Sequence, residues 1–224
     1  MVVEWLNETF HPFDYALLEL CHELAEIGHP VLTDFLHFIS FSGEYAILLF
    51  LTGLILCMFP QTRKIGVADI WSVLIGCIIG KGCIKRLIIR PRPYEVVGSD
   101  YYEWWSILGL RLDTDNSFPS GHVLVATAGL LALCIMVSNK TKKKLIPFSV
   151  IYLGLMCFAR IYMMEHYPSD VVAGLLLGVL CVIIGVPLTK WFFNLCEKNI
   201  KNPFCNFVIH FELSWIFPKK NNDT

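Results

Sequence analysis

Lys85, Arg86, Arg90 and Arg92 crowd into one short stretch of this chain, Ser120 and His122 form a second cluster, and Arg160, His166 and Asp170 form a third. Fixed positive charge and multiple N–H donors on Lys85, Arg92 and Arg160 suit a tetrahedral oxyanion. Pro119-Ser120-Gly121-His122 reads as a helix start. Gly121 permits close backbone approach there, and the first N–H groups point outward at the positive end of the helix. Together these features favour phosphate. His166 stands four residues before Asp170, with Pro168 as a first-turn residue between them. A carboxylate at that spacing would hydrogen-bond one imidazole nitrogen, fix the tautomer and leave the other nitrogen free to attack. His122 would then protonate the leaving oxygen. Taken singly, each residue has a plainer account: an arginine at a span end snorkels to headgroups, a lone histidine is structural, and Pro-Ser-Gly is a turn. The joint spacing outweighs these.

The elements that must position these groups lie in the lipid bilayer. The chain is 55% hydrophobic, with a mean hydropathy of +0.58, and apolar runs fall at about 44–59, 67–80, 123–137, 145–158 and 171–189. Several approach the ~20 residues that cross a hydrocarbon core of about 30 Å. Only segments that satisfy their own backbone survive there, so an all-α, polytopic membrane bundle is expected. Five spans are predicted: 43–59, 67–89, one from Ser120 to the 138–144 loop, 145–164, and Pro168 to Phe193. Because successive spans reverse direction, all three clusters fall at the same face, where ionisable groups default to a functional role.

Residues 13–41 carry too many polar groups for a clean span. Leu17, Leu20, Cys21, Leu24 and Ile27 repeat at helical spacing, and Pro30 breaks the chain before a second short helix. Two helices lying in the outer interface or dipping partly into it are expected. Phe204, Phe207, Val208, Phe211 and Trp215, between Pro203 and Pro218, suggest a further amphipathic helix on the cytoplasmic surface. The expected layout is a single domain over 1–224, with interfacial helices in 1–42, a catalytic core in 43–193 and a tail in 194–224. Tyr101, Tyr102, Trp104 and Trp105 of the 91–118 loop are expected at lipid headgroups.

Net charge is only −1, but its distribution is uneven. Arg63 and Lys64 share one loop, and Lys140, Lys142, Lys143 and Lys144 share another, whereas the 91–118 loop carries Glu95, Asp100, Glu103, Asp113 and Asp115 against Arg111 and the clustered Arg92. The positive-inside rule makes the lysine loops cytoplasmic and turns the site outward. The first dozen residues lack the basic and apolar regions of a cleavable signal, so the first span would act as the insertion signal. Of nine cysteines, Cys57, Cys77, Cys134, Cys157 and Cys181 lie in apolar runs and read as buried free thiols. No Cys-x-x-Cys pair exists, and neither a metal nor any cofactor is expected. The expected partners are a lipid phosphate and the bilayer, with no nucleic acid; oligomeric state is not legible.

Lys85 through Pro93 (KRLIIRPRP), Pro119-Ser120-Gly121-His122 and Arg160 through Asp170 (RIYMMEHYPSD) resemble, in order, the three motifs of the type 2 phosphatidic acid phosphatase superfamily. The resemblance spans roughly residues 37–193. It implies a helical membrane fold, a phosphohistidine intermediate and no metal. By motif, Lys85, Arg92 and Arg160 would hold phosphate with Ser120 and Gly121, while His166 would be the nucleophile, His122 the general acid and Asp170 the orienting partner. The chain departs from the pattern at Ala159, where the third motif usually has serine, and in having five legible spans rather than six. Lys81, one turn before Lys85, would extend the site toward a diphosphate. The substrate expected is a lipid phosphate or diphosphate: a polyprenyl diphosphate, a phosphatidylglycerol phosphate or a phosphatidic acid. A non-enzymatic headgroup binder and a vanadate-dependent haloperoxidase are the competing readings. The first would have no need of His122, His166 and Asp170 together, and the second is typically a longer, soluble chain.

Overall fold

Backbone N–H and C=O groups among lipid tails have no water to bond, so a membrane segment must satisfy them within itself. In the computed structural model, which describes residues 1–96, 98–110 and 115–211 apart from the Tyr45 side chain, every regular element is accordingly helical. In chain order these are α1 (Val2–Gly28), α2 (Val31–Ser42), α3 (Ile47–Cys57) and α4 (Arg63–Cys77). A π-helical stretch, Ile78–Ile84, joins α4 to the short α5 (Lys85–Leu87). Then come α6 (Asp100–Leu108), α7 (Gly121–Met136), α8 (Asn139–Tyr162), α9 (Pro168–Lys198) and α10 (Pro203–His210).

Among the described residues, three helical runs are long and apolar enough to cross a membrane: Arg63–Leu87, Asn139–Tyr162 and Pro168–Lys198. The other two expected spans differ from a simple crossing. α2 and α3 meet the same test only as a pair, bent by 43°. Gly43 ends α2, and Ala46 takes a left-handed backbone (φ 58) before α3 begins. α7 has 16 residues, which at 1.5 Å each rise about 24 Å, short of the ~30 Å hydrocarbon core.

α4, α7 and α9 pack together at the centre around Val73, Leu124, Ala128, Cys181 and Val182. Without a hydrophobic driving force between helices in lipid, close approach depends on small residues. A Cβ on Gly66 of α4 would stand 2.3 Å from the Gly53 carbonyl oxygen of α3, so only glycine allows that crossing. A Cβ on Gly174 of α9 would stand 2.8 Å from the Ser120 carbonyl oxygen, which brings α9 directly against the start of α7.

A second cluster, with Leu18, Leu36, Tyr101, Ala159 and Tyr162, joins α1, α2 and α6 to the end of α8. α1 is one 27-residue helix with Pro12 inside it, and so begins well before the expected boundary. Its buried stripe is Leu6, Asp14, Leu18, Cys21 and Ala25, whereas Leu20 and Ile27 are exposed. The stripe runs through a carboxylate, which a hydrophobic pattern passes over. The aromatic loop also differs from expectation. Trp104 stacks on His22 of α1 at 4.9 Å, and Trp105 lies against Tyr94 at 5.0 Å. Both rings are half-buried in protein contacts, while Tyr102 is exposed. α10 forms as expected, capped by Asn202, and Arg63 donates to its Val208 and Ile209 carbonyls at 3.0 and 2.8 Å. Trp215, Pro218, Lys219 and Lys220, like Arg111 and Asp113, lie outside the described residues.

Candidate active site

Three backbone joints gather the three sequence clusters. The Ser120 N–H donates to the Asp170 carbonyl at 3.1 Å, tying the start of α7 to the start of α9. The Ser117 N–H donates to the Arg90 carbonyl at 2.8 Å, which brings the irregular 88–92 segment beside them. The His166 N–H donates to the Arg160 carbonyl at 3.3 Å, folding the 163–167 turn back onto the end of α8. α9 then begins with Pro168 in its first turn, and the Asp170 carboxylate accepts from the Tyr167 N–H at 3.0 Å. That bond satisfies one of the orphan donors of a helix start.

His166 is 1% exposed. Its Nδ1 lies 3.8 Å from Asp170 Oδ2, beyond hydrogen-bond reach. The Ser117 hydroxyl lies beside both: it donates to Asp170 Oδ2 at 2.5 Å and stands 3.5 Å from His166 Nδ1. The four-residue spacing of His166 and Asp170 predicts a direct carboxylate–imidazole bond, which the structure does not make. Asp170 is instead committed to Arg90, Ser117 and the Tyr167 amide, and a serine stands in the gap. Burial, reinforced by the charges of Arg92, Arg160, Lys85 and His122, holds the His166 imidazole well below its usual pKa of 6.5. The ring is therefore neutral at neutral pH, with Nδ1 toward Ser117 and Nε2 on the other side.

Lys85, Arg92 and Arg160 are all buried. Lys85 donates to Asp115 Oδ2 at 2.9 Å and to the Asn116 carbonyl at 2.7 Å. Arg92 Nε donates to the Asp115 carbonyl at 2.9 Å, and its guanidinium pairs with the carboxylates of Asp115 and Glu165. Arg160 pairs with Glu165 as well and donates to Ser40 Oγ of α2 at 2.6 Å. α2 is in turn held on α8 through Thr33–Tyr162 and Ser42–Tyr152 hydroxyl contacts, each 2.9 Å. Burial alone would raise the Asp115 carboxyl, but Lys85 and Arg92 outweigh it and hold the group below its usual range. Two carboxylates thus lie among the three cations.

Ser120 Oγ is fully buried and without a hydrogen-bond partner among the described residues. A Cβ on Gly121 would sit 3.9 Å from Lys85 Cε, an ordinary contact, so the protein itself does not demand glycine there. His122 is half-buried one residue further on, close enough to Arg160, Lys85, Arg92 and Lys81 to feel their charge. All eight residues singled out by sequence therefore meet at one end of the bundle. Lys81, by contrast with Lys85, is exposed. Among the described residues, no group of three or more His, Cys, Asp or Glu side chains is arranged to hold a metal ion.

Behind Asp170 lies a network that the sequence reading missed. Arg90 is 1% exposed; its Nη1 donates to Asp170 Oδ1 at 2.5 Å and to Ser169 Oγ at 2.8 Å, and its Nη2 donates to Asp14 Oδ2 at 3.0 Å. Its Nε donates to Asn7, and its guanidinium lies 3.9 Å from the centre of the Tyr167 ring. Asp14 also accepts from the Ser169 N–H at 2.8 Å and from its hydroxyl at 2.7 Å. Ser117, Asp115 and Glu165 were likewise passed over; their adjacency to the three clusters in sequence was the available signal.

The family model described as the PAP2 superfamily matches residues 66–194. The chain is 32% identical over 141 residues to an undecaprenyl-diphosphatase of Sulfolobus acidocaldarius, covering 63% of each chain. It is 27% identical over 163 residues to glucose-6-phosphatase catalytic subunit 1 of Felis catus, covering 60% of this chain and 45% of that one. The chain thus spans under two thirds of the length of either relative. In fold it resembles the crystal structure of a transmembrane PAP2 type phosphatidylglycerolphosphate phosphatase from Bacillus subtilis, with a TM-score of 0.63 and 21% identity over 83% of this chain and 87% of that one.

Proposed function

The chain belongs to the PAP2 superfamily, and from that premise we propose that it is a membrane phosphatase acting on a lipid phosphate or diphosphate through a phosphohistidine. The observation that carries this reading is the buried, neutral His166, backed by Ser117 and Asp170 and surrounded by Lys85, Arg92 and Arg160.

In the first step His166 Nε2 attacks phosphorus and the bond from phosphorus to the lipid oxygen breaks. His122 gives its proton to that oxygen, releasing a lipid alcohol, or a lipid monophosphate when the substrate is a diphosphate. Water then attacks the phosphohistidine, His122 takes a proton from the water, and inorganic phosphate leaves with His166 restored. Lys85, Arg92 and Arg160 hold the non-reacting phosphate oxygens, and the Ser120 hydroxyl and Gly121 N–H add donors. Asp115 and Glu165 are the carboxylates that phosphate exchanges with on those cations. The charge comes from fixed side chains, so the reaction needs neither metal nor cofactor.

The name of the Sulfolobus relative favours a polyprenyl diphosphate, and Lys81 beside Lys85 offers a cation to a second phosphate. The site faces outward from the cell membrane, so the headgroup enters from the outer leaflet. The test is phosphate release in detergent from undecaprenyl diphosphate, phosphatidylglycerol phosphate, phosphatidic acid and glucose 6-phosphate. A polyprenyl diphosphate is expected to be turned over fastest, with activity unchanged in excess EDTA. Release from glucose 6-phosphate alone would overturn the lipid assignment. Binding of lipid phosphates without release of phosphate would make the protein a headgroup binder.

A further inference from the structure

The guanidinium of Arg90 is shared between two carboxylates, Asp170 at 2.5 Å and Asp14 at 3.0 Å, and all three groups are at most 2% exposed. Buried charges are tolerated when paired and hydrogen-bonded, and breaking such a pair is costly. Here one cation answers two anions. We propose that Asp14 and Arg90 are positioning residues for the reaction: Arg90 fixes the Asp170 carboxylate against Ser117, and Asp14 draws off enough of the Arg90 charge to leave Asp170 effectively anionic behind His166. The proposal rests on His166 being the nucleophile.

The geometry gives each residue a separate task. Arg90 holds one oxygen of Asp170, Oδ1, which leaves Oδ2 to accept from Ser117 and from the Tyr167 N–H. The Arg90 guanidinium lies over the Tyr167 ring, 3.9 Å from its centre, which adds a cation–π contact that holds it in place. Asp14 also accepts both the N–H and the hydroxyl of Ser169, so α1 fixes the first turn of α9, where Asp170 stands. When His166 Nε2 becomes bonded to phosphorus, its ring turns cationic. The surplus negative charge of the Asp14–Arg90–Asp170 group then stabilises that cation. A fully neutralised Asp170–Arg90 pair would do so less well. The helix that composition alone assigned to the interface therefore supplies a working part of the site.

Among the described residues, charged and titratable groups face this network from several neighbouring elements. Lys85, Arg92, Arg160 and His122 surround the imidazole. Glu165 and Asp115 pair with those cations. Tyr101 of α6 and Tyr167 face Asp14 and Arg90. Asp14→Asn removes one negative charge from this set while keeping shape and one hydrogen-bond acceptor.

The experiment measures kcat, KM and the pH dependence of kcat/KM for undecaprenyl diphosphate in detergent, using wild type, Asp14→Asn, Arg90→Gln, Arg90→Lys and His166→Ala. Asp14→Asn is expected to lower kcat about tenfold with KM little changed, and to shift the acid limb of kcat/KM to lower pH by roughly half a unit or more, because the protonated His166 loses a favourable charge. Arg90→Gln is expected to lower kcat further, on the order of 100-fold, with partial recovery in Arg90→Lys. Asp14→Asn that melts like wild type and keeps its kcat and acid limb would overturn the proposal. So would a lowered yield or melting temperature with an unmoved limb, the mark of a merely structural contact. Should Arg90→Gln fail to fold, Asp14→Asn still decides. Activity surviving in His166→Ala would instead show that the nucleophile is misassigned, a failure of the underlying reading.

Discussion

In the proposed mechanism His166 is the nucleophile; such an imidazole must be neutral when it attacks, and the surroundings of His166 favour that form. Burial and four neighbouring cationic or imidazole groups all disfavour its protonated form. Its proton-binding midpoint therefore lies below 6.5, and kcat/KM is expected to hold as pH falls through 6.5 and to decline only at lower pH. A pH profile with its acid midpoint at or above 6.5 contradicts this environment. Ser117 is the second prediction at this scale. Its hydroxyl fills the gap between a carboxylate and an imidazole 3.8 Å apart. Ser117→Ala is expected to lower kcat about tenfold, the worth of roughly one hydrogen bond to a charged group, with little change in KM. The eight motif residues were legible because each motif is contiguous and its spacing carries chemistry. Ser117 stood two residues before Pro119 and signalled nothing by type alone. Asp14 was further out of reach, because its partners Arg90 and Ser169 are brought to it only by tertiary packing.

At the scale of elements, the long apolar helices were read from length and hydropathy, and the helical runs 63–87, 139–162 and 168–198 fulfil that reading. What failed was the placing of ends and breaks. The bend between α2 and α3 comes from the backbone around Gly43 and Ala46, a local effect that hydropathy averages away. In α1 the helical spacing of the apolar residues was legible, but the face buried against protein, Leu6, Asp14, Leu18, Cys21 and Ala25, was not, because it contains Asp14. Close helix crossings were also invisible in sequence, because a glycine in an apolar run looks like any other small residue. Gly66 tests that crossing. An alanine methyl there would meet the Gly53 carbonyl at 2.3 Å, so α3 and α4 must separate. Gly66→Ala is expected to destabilise the protein by about 1–3 kcal/mol, read as a lower melting temperature in detergent. An unchanged melting temperature would mean that α3 and α4 do not approach as described.

For the whole molecule, the alternation of lysine-rich and acidic segments predicts the sidedness of the site. The expected 138–144 loop is instead the N-cap and first turns of α8, which carry Lys140, Lys142, Lys143 and Lys144, and the motif-bearing end of the bundle lies at the opposite end of that helix, at Arg160. Lysine and arginine retained in the cytoplasm would turn the site outward. Single cysteines at Ser99 and Lys142, in a background without reactive native thiols, test this with an impermeant thiol reagent on intact cells. Labelling is expected at position 99 and not at 142; labelling at 142 alone would move the chemistry to the cytoplasmic face. The proposed phosphohistidine intermediate is tested more directly than orientation, by trapping it. Protein mixed with undecaprenyl diphosphate labelled in its terminal phosphate, quenched in alkali and digested, is expected to yield a phosphorylated peptide containing His166, with the label lost on acid treatment. Label on another residue, or a wild-type enzyme that turns over with none bound while His166→Ala keeps its rate, would contradict the account.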